Sequence, residues 1–175
     1  MAERLIAFAL LLVTLTASAA QLPVPPGAVA EAESLRVLGQ GRMRWFGLLL
    51  YDASLWVPDG RFSWDRGFAL DIRYARDFEG RRLAEASVDE LRRIGLGDAA
   101  QWSAWGESMR RAFPDVRKGE HITGVYRPGV GVDFFHEGRA TATVADPAFA
   151  RAFFSIWLDP RTREPRLRAA LLGQR

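Results

Sequence analysis

Residues 68–75, "FALDIRYA", alternate Phe68, Leu70, Ile72 and Tyr74 with Ala69, Asp71, Arg73 and Ala75. A period of two buries one side only as a strand, so this stretch demands a sheet with one apolar face and one mostly wet face. Upstream, "LRVLGQGRMRWFGLLLYDASLWVP" reads as a short strand, a glycine-containing bend and a long strand ending before Pro58. Downstream, "EHITGVYRPGVGVDFFHEGRATATVAD" reads as three short strands, joined at Pro128-Gly129-Val130-Gly131 and at Glu137-Gly138.

Helical spacing lies between and after these strands. "GRRLAEASVDELRRIG" places Leu83, Val88, Leu91 and Ile94 on one side and offers Gly95 as a stop. Asp98 is positioned to cap "AAQWSAWGESMRRAF", whose Trp102, Trp105, Met109 and Phe113 form a stripe. Asp146-Pro147 is a cap followed by proline at the first helical position. It opens "AFARAFFSIWLD", with Phe149, Phe153 and Ile156 on one side. A short helix, "EPRLRAALLG", closes on Gly173. Strands and helices come in runs with hairpin-length links. That order predicts an α+β fold, an antiparallel sheet covered by helices on one face.

The first twenty residues stand apart. "MAERLIAFALLLVTLTASAA" has a short basic start, an apolar run to about Leu15, and small residues at signal-peptidase spacing. The expected organisation is a signal peptide over 1–20, a proline-rich lead-in over 21–33 and one domain over 34–175. That makes the chain periplasmic or secreted. The apolar run is too short to span a bilayer, and no second run of about 20 residues follows, so no transmembrane segment is expected. The chain has no cysteine. Disulfides and thiolate metal sites are therefore unavailable, and the core must supply the stability.

Net charge is +3, and Lys118 is the only lysine among 24 basic residues. The arginines alternate with acids, as in "RRLAEASVDELRR", which describes a solvated helix face rather than a nucleic-acid footprint. His121 and His136 lie in separate expected strands with no carboxylate at ligand spacing, so neither metal nor cofactor is expected. No serine sits in a nucleophile elbow, and Gly39-Gln40-Gly41 lacks the third glycine and following helix of a dinucleotide fingerprint. The anomaly is Arg42 and Arg44, two guanidiniums at the entrance of the apolar run that holds Tyr51 and Trp56.

"GQGRMRWFGLLLYDASLW" resembles a strand pair of the chalcone isomerase superfamily. The likeness continues through "VDELRRIG", "PDVRKGEHITGVYRPG", "FFHEGRATATVADPAFARAFFSIWLDPRT" and "PRLRAALLG", from about Ser34 to Gly173. It is nearest to the signal-bearing bacterial members of that superfamily. The resemblance implies an open-faced β-sandwich, with helices on a large antiparallel sheet and a ligand cleft between them. It also implies that the plant enzyme's sheet threonine falls at Tyr51, its helix tyrosine at Glu79, its helix asparagine at Ala86, its late threonine at Ile156 and its helix lysine at Arg82. Ala86 and Ile156 have no donor to give an oxyanion, so no catalytic residue is carried over.

The resemblance further implies a sheet arginine that faces a ligand carboxylate, a place for Arg44 or, second, Arg42. The alternative for both is the sheet's outer face, paired with Asp52 or Asp71. Tyr51, Trp102, Trp105, Met109, Phe149 and Phe153 would supply the rest of the site. The expected function is a non-catalytic periplasmic protein that binds a small amphipathic carboxylate such as a fatty acid. Two alternatives stay open: a structural or protein-interaction domain, and an isomerase-type enzyme in which Glu79 and Arg82 form an acid–base pair and Tyr51 donates. The protein partners cannot be read from the sequence.

Overall fold

In the computed structural model, which describes residues 35–174, one sheet holds six strands. These are β1 (Arg36–Trp45), β2 (Leu48–Val57), β3 (Phe68–Tyr74), β4 (His121–Arg127), β5 (Gly131–His136) and β6 (Arg139–Val144). Their order in the sheet is their order in the chain, and every neighbouring pair is antiparallel. Helices α1 (Gly80–Ile94) and α2 (Ala99–Ala112) link β3 to β4, while α3 (Pro147–Leu158) and α4 (Pro165–Leu171) follow β6. This is the α+β architecture that the periodicity predicts. The expected signal peptide and proline-rich lead-in lie outside the described residues.

The helix ends follow the capping residues. Asp98 accepts from the Gln101 N–H at 2.9 Å, and the Gln101 side chain returns a bond to the Asp98 N–H. Asp146 accepts from the Ala148 and Phe149 N–H groups ahead of Pro147. Gly95 stops α1 in the left-handed conformation, φ 80°. Helix α3 lies over β4 and β5, α4 over β1 and β2, and α2 along β6. Helix α1 packs mainly on α2 and α3 rather than on the sheet. Phe68, Phe134, Phe149 and Phe154 fill the layer between α3 and the strands.

The bend between the first two strands falls at Phe46-Gly47, not at the glycines of "GQG". Gly39 and Gly41 lie within β1, just past an irregularity at Leu38, and their role is contact with α4. A Cβ on Gly39 would collide with the carbonyl oxygens of Ala170 and Leu171.

The outer face is less wet than alternation suggests. Asp71 and Thr123 are buried there, with Asp71 accepting from Thr123 at 2.7 Å and meeting His121 Nδ1 at 2.8 Å. Ala69, Val125 and Phe135 form a small apolar cluster with Leu35 and Trp56 beside them.

Gly39→Ala should cost about 1–3 kcal/mol, because backbone rather than a flexible side chain occupies the space. Gln40→Ala, exposed one residue on, should stay within about 0.5 kcal/mol of the parent. Denaturant melts of both variants check this, and equal midpoints would mean that α4 does not seat on β1.

Candidate functional site

Because α1 rides on the other helices, it bridges over β1–β3 instead of filling the space above them. The space left is a cleft of about 580 Å³, within the roughly 300–1,000 Å³ usual for small-molecule sites. Its floor is Met43, Leu50, Tyr51, Leu70, Ile72 and Tyr74, with Ile122 and Gly124 from β4. Leu83, Ala86 and Ser87 of α1, Phe153, Ile156 and Trp157 of α3, and Leu167 of α4 form the roof. Trp45, Arg82, Asp89, Glu90, Arg163 and Glu164 ring the opening.

Two phenols break the apolar floor. Tyr51 and Tyr74 are cross-strand partners with ring centroids 6.2 Å apart. The Tyr51 oxygen accepts from the Trp157 indole N–H at 3.0 Å, which leaves the phenol proton free to donate. Among the described residues nothing hydrogen-bonds the Tyr74 hydroxyl, and it is not sealed from solvent, so it opens on the cleft. Burial pushes Tyr51 up to about 12. The Trp157 N–H opposes that shift, while Glu164 and Glu90 add to it. Burial raises Tyr74 further, with Tyr51 and Asp71 acting in the same direction. Both phenols are therefore neutral donors, set in a field that disfavours a second negative charge.

Glu90 fastens one end of the cleft. Its carboxylate meets Arg93 at 2.6 Å and Arg163 at 3.3 Å, tying α1 to the segment before α4. Burial works to raise its pKa, but the Arg93 and Arg163 guanidiniums outweigh that and hold it below the ordinary carboxylate value.

The expected site residues divide. Tyr51 and Phe153 line the cleft. Arg42 and Arg44 do not, which corrects the expectation that one of them anchors a ligand. Arg42 pairs with Asp52 at 3.3 Å on the outer face, and Arg44 donates to the Gly47 carbonyl at 2.9 Å. The reason is a register shift. Arg44 pairs with Leu49 and Met43 with Tyr51, so Leu50 is an extra residue on β2. Were Leu50 paired with Met43 in an unshifted register, Tyr51 would lie opposite Arg42; because Leu50 bulges out, Met43 and Trp45 reach the cleft and the arginines turn away.

Trp102, Trp105, Met109 and Phe149 are likewise not cleft residues. Met109 and Phe149 are fully buried, Trp105 packs on Phe149 with its N–H on Asp146, and the Trp102 N–H bonds the Leu96 carbonyl. Helix α2 faces β6 and α1, so its stripe closes the core. Glu79 and Arg82 are 4.0 Å apart and both exposed, with only Arg82 at the cleft. His121 and His136 sit on Asp71 and Glu120. Met43, Tyr74, Trp157 and Glu90 were not among the expected residues. The alternation of 68–75 marks Tyr74 as inward-facing, and Trp157 lies one helical turn beyond Phe153.

A helix-roofed cleft on an antiparallel sheet defines a class, and comparison places the chain in it. Residues 17–173 match the family described as chalcone isomerase-like, and the chain belongs to that family. A Haemophilus influenzae protein described as uncharacterized is 25% identical over 138 residues, covering 78% of this chain and 67% of the relative. The solved structure of an Arabidopsis thaliana fatty-acid binding protein superposes with a TM-score of 0.61. It is 13% identical and covers 81% of this chain and 88% of its own.

Tyrosinate absorbance should show a native step near pH 12 that Tyr51→Phe removes. The unfolded chain ionises its tyrosines near pH 10, so stability should decline as pH rises from about 10 toward 12. A step near pH 10 lost in Tyr51→Phe would mean that Tyr51 is not buried.

Proposed function

We propose that this chain is a non-catalytic binding protein of the cell envelope. Its ligand is a small amphipathic molecule of the fatty-acid class, held in the cleft under α1. The observation that carries this reading is the pairing of an open apolar cavity with two free phenol donors on its floor. The hydrocarbon body gains by leaving water, at roughly 25 cal/mol for each Å² buried, and the phenols fix an oxygen acceptor at one end. Because Tyr51 and Tyr74 are neutral and, among the described residues, the cleft's arginines Arg82 and Arg163 stand at the opening rather than on the floor, the acceptor that fits is an uncharged oxygen. A carboxylic acid would bind in its protonated form. The likeness to a fatty-acid binding protein supports the class of ligand, and the leader-like residues 1–20 support the envelope location.

Ala86 and Ile156 both line the cleft, and neither side chain can donate a proton or hold an oxyanion. The cavity is also not filled by Trp102 and Trp105, the packing that a purely structural domain would favour.

Displacement of a fluorescent fatty acid, with native mass spectrometry of the purified protein, tests the reading. Tyr51→Phe and Tyr74→Phe should each weaken binding up to about tenfold, the value of one hydrogen bond of about 0.5–1.5 kcal/mol in a dry site. No co-purified ligand, together with no binding across a panel of acids and alcohols, would end the proposal.

A further inference from the structure

The β1–β2 turn carries side chains that nothing in the fold explains. Phe46 is 92% exposed, Leu48 53% and Trp45 46%, and they are contiguous at the tip. Phe46 takes φ 45° and Gly47 φ 82°. Two left-handed residues between paired strands make the tight turn that asparagine-glycine serves best. A bulky aromatic in that conformation is unfavourable. Phe46 gains nothing from the interior in exchange, and its ring stands edge-to-face with Trp45, the centroids 5.2 Å apart.

Charge surrounds the tip. Arg44 caps the turn through the Gly47 carbonyl and has no acid partner among the described residues. Arg42 and Arg73 share the single carboxylate of Asp52, which leaves a positive excess on that side. Trp45 has a second place as well, since its indole is part of the cleft opening.

We infer that this hairpin tip is a membrane-docking element, inserting Phe46, Leu48 and Trp45 into the interface of an anionic lipid bilayer. Exposed aromatic and leucine side chains flanked by arginines suit the boundary between headgroups and acyl chains. The arginines attract anionic headgroups, and the insertion depends on both parts. The geometry joins this surface to the site. With the tip seated, the Trp45 side of the cleft opening faces the bilayer, so an acyl ligand can move between bilayer and cleft with little exposure to water. This step rests on the ligand-binding reading, whereas the docking itself does not.

The test is co-sedimentation with vesicles of equimolar phosphatidylglycerol and phosphatidylcholine, and with vesicles of phosphatidylcholine alone. The parent should partition onto the anionic vesicles and much less onto the neutral ones. Phe46→Asn should lose about tenfold in partitioning, because the phenylalanine that enters the bilayer interface is replaced by a polar side chain. The same variant supplies the preferred turn residue, so its melting temperature should hold or rise, and misfolding cannot explain the loss. Fluorescent fatty-acid binding in vesicle-free solution should match the parent, because Phe46 is not part of the cleft. A parent that stays in the supernatant with both vesicles overturns the proposal, as does a Phe46→Asn variant that partitions like the parent. A tip that instead holds two copies together would show as a dimer broken by Phe46→Asn without vesicle binding, and would overturn it too. Failure of vesicle binding with solution binding intact sinks the docking element and leaves the cleft reading standing. The reverse result sinks the cleft reading alone.

Discussion

Leu50 has no partner on β1, and the register shift made by its bulging out of the pairing decides which side chains meet under α1. Its carbonyl is still satisfied, by the Ala75 N–H just past the end of β3. The β1 side of the cleft floor follows from the shifted register. Tyr51 pairs with Met43 on one side and Tyr74 on the other, while Arg42, Asp52 and Arg73 form an ion-pair ladder on the opposite face. A guanidinium left in the cavity without a ligand would be a buried, uncompensated charge, costing several kcal/mol. Two phenols avoid that penalty, because their burial only pushes ionisation further out of reach.

The roof depends on a different balance. Helix α1 buries Ala84, Val88, Leu91 and Ile94, and it is fixed mainly by packing on α2 and α3 rather than on the floor. Leu83, which the helical period groups with Val88 and Leu91, turns toward the cleft instead. Glu90 then secures the open end by bonding Arg93 on its own helix and Arg163 from the chain before α4. The cleft thus exists because α1 finds its apolar partners on neighbouring helices, and the strands beneath are left to line an open cavity.

Much of this was legible in the sequence. The period-two run at 68–75, the capping aspartates Asp98 and Asp146 and the stop at Gly95 each report a local rule, and the structure obeys each one. The hairpin between β1 and β2 was hidden because its turn is Phe46-Gly47 inside an unbroken apolar run, where asparagine-glycine would have announced it. With the turn unseen, Arg42, Arg44 and Tyr51 read as one strand, and the side each faced could not be assigned. A bulge leaves no compositional mark, so the exchange of arginine for Met43 on the floor is fixed only by the folded register. The stripe of α2 was legible as apolar but not as core or cavity wall. That distinction lies in where α2 sits relative to α1, a tertiary fact that helical spacing does not carry.

The central claim is that the cleft reads its ligand through neutral donors. Its most direct test compares the affinity of a long-chain fatty acid with that of the alcohol of equal length, from about pH 5 to about pH 8. On this account the alcohol binds with little dependence on pH. The acid weakens by up to about tenfold per pH unit once its carboxyl ionises in water, because only the protonated form fits beside Tyr51 and Tyr74. An acid that binds more tightly than the alcohol at neutral pH, and loses that advantage in Arg42→Met or Arg44→Met, would contradict the account and return the anchor to the arginines.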